Sequence, residues 1–128
     1  MAQGQKLTLV STPEEIKSWT ELKTVPNKFS YFPVKFQANG TAQSLLGSLE
    51  EKMGHTGTMI IGAAIPREIS IGFVKMVRKT GSRMKIFLVS EKHISDDYEV
   101  QVAGFTDRIH PNDVRGFISG TIYAEQSQ

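Results

Sequence analysis

The chain has 128 residues, a length that suits one domain, and 39% of them are hydrophobic, enough for a folded core and too many for a disordered tail. With no cysteine there is no disulfide framework, no Cys-ligated zinc, no iron–sulfur cluster and no thiol nucleophile, which suits a reducing compartment. The net charge of +2 hides a segregation: residues 1–65 carry +1, residues 66–93 carry +5 and residues 94–128 carry −4.

In chain order, Lys6 to Val10 alternates weakly and predicts an edge strand. Thr12-Pro13-Glu14-Glu15 then reads as a helix start, with an N-cap threonine, proline at the first helical position and a glutamate placed for a capping box. Ile16, Trp19, Leu22 and Val25 follow at roughly helical spacing, so a helix is expected over 13–24. The aromatic stretch Phe29, Tyr31, Phe32 and Phe36 favours a strand, which Pro33 restricts to an edge or a bulge. It reads as core rather than as a base-stacking platform. After Asn39-Gly40 a second helix is expected over 41–53, with Leu45, Leu46, Leu49 and Met53 on one stripe and Gly54 as its stop.

Met59 to Ile65 is a short apolar run that predicts a strand closed by Pro66. Residues 69–79 fit both periods. Gly72 in a helix interior and the turn-like Thr80-Gly81-Ser82 favour a strand and a hairpin over 75–85, continuing to Val89. Tyr98, Val100 and Val102 alternate with polar residues and predict a half-buried strand over 98–105. His110-Pro111-Asn112-Asp113 opens a loop or short helix, and Phe117, Ile118, Ile122 and Tyr123 return to the core. The fold class expected from these elements is α+β, with an antiparallel sheet of about five strands against two or three helices, all in a single domain over 1–128.

Few residues suggest chemistry. His55, His93 and His110 lack a nucleophile context and metal-ligand spacing, Asp96-Asp97 reads as a turn cap, and Gly54-His55-Thr56-Gly57 precedes a strand instead of the helix that a phosphate loop needs. A site assembled from Asp107, His110 and Asp113 is the remaining catalytic option. The reading is therefore a non-enzymatic binder with no cofactor and no metal. Lys75, Arg78, Lys79, Arg83 and Lys85 cluster around the expected hairpin and suit an anionic partner, either nucleic acid or membrane headgroups; their alternative role is to keep the surface solvated. Asp96, Asp97, Glu99, Asp107 and Asp113 form the acidic counterpart, a candidate surface for self-contact in a homo-oligomer.

The stretch from Phe29 to Lys92, through QSLLGSLEEKM, TMIIGAA and IGFVKMVRKTGSRMK, resembles the central part of rhabdovirus matrix proteins in its order of elements. That resemblance implies a structural protein that self-associates and bridges a ribonucleoprotein and the inner face of an envelope, as a peripheral membrane protein of the host cytoplasm or virion. A small nucleic-acid-binding protein that contacts phosphates through the basic hairpin is the alternative. No apolar run reaches the roughly 18 residues of a membrane span, and the start lacks a signal-peptide core, so a soluble cytoplasmic protein is expected.

Overall fold

The computed structural model describes residues 7–21, 31–52 and 57–126, without the side chains of 50–52 and 121–126. The strands are β1 (Leu7–Ser11), β2 (Phe32–Lys35), β3 (Thr58–Ile61), β4 (Lys85–Val89) and β5 (Asp107–Ile109). They form one sheet in the order β2-β1-β3-β4-β5, and every neighbouring pair is parallel. Helices α1 (Pro13–Thr20), α2 (Ala42–Lys52), α3 (Arg67–Lys79) and α4 (Tyr98–Ala103) each join one strand to the next, and α5 (Val114–Gln126) follows β5. The fold is thus α/β with a doubly wound parallel sheet, which corrects the antiparallel α+β expectation.

The strands are short apolar runs because helices cover both of their faces. Leu7, Leu9 and Ile60 pack with Ile16 and Trp19 of α1 and with Val114 and Ile118 of α5. On the other face Val10, Met59, Ile61 and Ile86 pack with Leu45 and Leu49 of α2, Phe73 and Val77 of α3, and Val100 of α4. Adjacent strand residues therefore serve opposite cores, as the two-residue repeat of a strand requires. Full burial of each such side chain contributes about 1.5–3 kcal/mol from removal of apolar surface from water. Phe36 is buried in the second of these cores, while Tyr31 packs partly against the first.

Two local expectations change. Residues 67–79 are the helix α3, not a hairpin arm: Ser70, Ile71, Phe73, Val74 and Val77 are buried along one stripe. A Cβ at Gly72 would stand 3.5 Å from the Ala42 Cβ, an ordinary contact, so α2 and α3 meet at this glycine without requiring it. Residues 98–103 are the helix α4, started by Asp97, whose carboxylate accepts from the Val100 N–H. Tyr98 and Val102, read as the inner face of a strand, are instead 76% and 55% exposed. The first helix begins where expected, with the Thr12 Oγ1 accepting from the Glu15 N–H at 3.3 Å. Leu22, Val25, Phe29, Met53, Gly54 and His55 lie outside the described residues.

Candidate functional site

Open α/β sheets bind ligands outside the carboxyl ends of their strands, where the strand order reverses. Here that point lies between β1 and β3, the strands from which the chain winds in opposite directions. Ser11 ends β1, and Gly62 follows β3 with its N–H donating to the Val10 carbonyl at 2.8 Å. Glu15, in the first turn of α1, lies across both. Its Oε1 accepts from the Ser11 hydroxyl at 2.5 Å and from the Ala64 N–H at 3.2 Å. A Cβ at position 62 would fall on the Glu15 carboxylate oxygen and against the Ser11 side chain. The crevice is therefore closed by the chain's own carboxylate, and glycine is the residue that leaves it room.

This corrects the capping-box reading in one respect. Thr12 caps the helix as the motif requires, but the Glu15 carboxylate does not return to the cap. It ties α1 to the loop between β3 and α3. Two signals pointed to it: a serine at the end of one apolar run and a glycine directly after another.

The basic residues assigned to an anionic partner do not form a hairpin tip. Lys75 and Lys79 lie on α3, Arg83 in the following turn and Lys85 at the start of β4; all four are exposed, and none is in an ion pair among the described residues. Arg78 is separate from them. Its Nε donates to the Gly104 carbonyl at 2.9 Å, and its Nη1 to the Ser82 and Met84 carbonyls at 3.1 and 2.8 Å. Burial pushes its pKa below the ordinary arginine value. Gly104, at a φ of +122°, closes α4 and presents that carbonyl; a Cβ there would meet the Arg78 stem at 2.6 Å.

The acidic residues also divide. Asp97 and Glu99 accept from the Arg67 Nη2 at 2.6 and 3.0 Å, linking the starts of α3 and α4. The Arg67 hydrogen bonds hold the Asp97 carboxyl down at about 2, and the two carboxylates raise the Arg67 pKa. Asp96 is exposed in a 3₁₀ turn over 94–96. Asp107 and Asp113, with His110, line one groove of about 570 Å³ beside Phe87 and Phe117. The structure thus brings the three catalytic candidates together, yet each polar contact turns to the local backbone. Asp107 accepts from the Arg108 N–H, and the His110 Nδ1 accepts from the Asn112 N–H. Among the described residues no side chain is hydrogen-bonded to the His110 imidazole, the contact by which a third group would orient it as a base.

Among the described residues no cluster of three histidine or acidic side chains is arranged to hold a metal ion, and no helix is long and apolar enough to cross a membrane. No protein-family model matches the chain, and no curated protein matches it. Solved structures do. The receiver domain of the Francisella response regulator 1452 is 12% identical, with 97% of this chain and 98% of that one covered and a TM-score of 0.58. A two-component response regulator of the LuxR family from Aurantimonas is 13% identical, covering 98% of this chain and 88% of that one, with a TM-score of 0.61. These likenesses overturn the resemblance to viral matrix proteins and, with it, the matrix-type assembly role. The nucleic-acid alternative falls as well, because the basic hairpin on which it stood is a helix and a separate strand. By its architecture, the chain has the fold of a response-regulator receiver domain.

Proposed function

We propose that this protein is a signalling module of receiver-like fold that works through contact with another protein and does not itself accept a phosphoryl group. The signalling part rests on likeness of fold to response regulators and is an analogy of architecture. The observation that carries the second part is the Glu15 carboxylate at the switch point. To accept a phosphoryl group a carboxylate must be free to attack, beside acidic side chains that hold Mg²⁺. Glu15 instead accepts two hydrogen bonds through one oxygen, and Gly62 and Ser11 offer no carboxylate at the ends of β3 and β1. The crevice holds a carboxylate already engaged by two hydrogen bonds in place of one free to attack. On this reading the protein is not an enzyme.

Incubation with a small acyl phosphate and Mg²⁺, followed by intact-mass measurement, tests it. An unchanged mass is expected. A stable gain of one phosphoryl group on a carboxylate at the carboxyl edge of the sheet would overturn the proposal.

A further inference from the structure

A second opening at the carboxyl edge is not filled. Beside the closed crevice, between α3 and α4 and outside the ends of β3 and β4, lies a cavity of about 500 Å³ whose wall reaches Gly62 and Ala63 of the switch-point loop. That volume is within the roughly 300–1,000 Å³ of small-molecule sites. Its walls include Ile65, Ile71, Leu88, Val100 and Phe105, all members of or packed on the core that α2, α3 and α4 cover. One polar group in the wall stands out. Ser70 is 2% exposed, and its hydroxyl is the buried side-chain oxygen without a hydrogen-bond partner among the described residues. Its backbone N–H is satisfied by the Pro66 carbonyl, so the hydroxyl alone is unmatched. Folded proteins leave few such groups, and an acceptor atom in the cavity would satisfy this one after rotation about a single side-chain bond.

The mouth has its own chemistry. The loop after β4 brings Ser90, Glu91, Lys92 and His93 to the rim. The Ser90 Oγ accepts from the Lys92 N–H, and the His93 Nε2 accepts from Arg108, so the loop backbone and the imidazole are already engaged. Arg67 is engaged as well, by Asp97 and Glu99 across the starts of α3 and α4. The Lys92 ammonium is exposed and in no ion pair among the described residues, which leaves it as the unneutralised cation at the rim; Glu91 beside it is likewise exposed.

We propose that this cavity binds a small amphipathic acid, with a ring system or medium-length chain against Ile71, Leu88 and Phe105, an acceptor oxygen on that body at Ser70, and the acid group at Lys92. Neither the phosphoryl chemistry of the switch point nor its absence enters this assignment, so the two proposals fail separately.

Fluorescence titration with naphthoate and with a hydroxynaphthoate is the test. Both bind, the hydroxylated probe by several-fold more tightly. Lys92→Glu weakens both by about tenfold, the equivalent of 1.4 kcal/mol. Ile94→Trp, which places an indole at the half-buried position 94 in the cavity wall, abolishes binding of both. Ser70→Ala removes the advantage of the hydroxylated probe and leaves the plain one unchanged. Circular dichroism of each variant confirms that it is folded. Absence of binding to the wild-type chain, or affinities unmoved by Lys92→Glu and Ile94→Trp in folded variants, would overturn the site; equal affinity of the wild-type chain for the two probes would overturn the role of Ser70.

Discussion

At the amino edge of the sheet Arg78 donates to three carbonyls from two loops, and the end of α3, the start of β4 and the end of α4 are fixed around one guanidinium. At the carboxyl edge the links are made by Glu15 and by the exposed Arg67–Asp97 pair, and between them lie a closed crevice and an open cavity with an orphan hydroxyl. Both ends use charged side chains to hold loops. The difference is saturation: one end has its backbone acceptors matched, while the other leaves a cavity and a polar group unmatched. Ligand sites in parallel α/β folds are found at the carboxyl end, and the one buried side-chain group without a partner among the described residues, the Ser70 hydroxyl, is there.

Three substitutions and one titration sharpen that contrast. The largest effect belongs to the saturated end. Arg78→Ala leaves three carbonyls without their donor and should destabilise by about 2–3 kcal/mol, within the usual cost of losing hydrogen bonds to a charged group. Chemical denaturation checks this, and a loss below that of an ordinary surface substitution would show that the amino edge does not depend on the arginine. Gly62→Ala should cost about 1–2 kcal/mol, because its methyl group displaces the Glu15 carboxylate and presses on Ser11. Faster amide exchange at Ala64 is the accompanying readout, since that N–H loses its carboxylate acceptor.

The smallest effect is expected at the Arg67–Asp97 pair, which is exposed and screened by salt. Its sign follows from the depressed carboxyl. Asp97 titrates near 2 in the folded chain, against an ordinary value of 3.8. Its contribution is therefore complete above about pH 4 and is lost as pH falls toward 2. Arg67→Ala should flatten the pH dependence of stability inside that window and leave it unchanged above. An identical slope in the two proteins would remove the pair from the account.

Much of the architecture was legible as pieces and not as an arrangement. Thr12 and Pro13 mark the start of α1, and the leucine stripe of α2 marks its buried face, because these signals are local. The direction of the strands is not local. Runs such as LTLV, TMII and KIFLV look alike in either kind of sheet, and only the helices between them imply parallel crossovers. Reading α3 and α4 as strands removed two of those helices. In α3 the cost of Gly72 and the turn-like Thr80-Gly81-Ser82 both favour a strand, and the buried stripe of the helix outweighs them. In α4 the alternation of Tyr98, Val100 and Val102 imitated a strand, although Val100 and Ala103 are the residues it buries. Glu15 was visible as a helix-start residue, but its acceptor role depends on Ala64, which comes close only when β1 and β3 pair.

The pairing of β1 with both β2 and β3 has a consequence for synthesis on the ribosome. Once residue 61 has emerged, three strands can align, but the far side of β3 keeps its hydrogen-bonding groups unpaired until 85–89 have been made. During that interval a strand that the finished fold buries completely, Thr58–Ile61, is an open edge on the nascent chain. α1 and α2, made before β3, already offer cover for its two faces, and α3 adds to one of them before β4 arrives, so what stays open is the hydrogen-bonding edge. A delay between those two segments would prolong exposure of the strand that ends in the middle of the sheet, and would favour pairing with a neighbouring nascent chain.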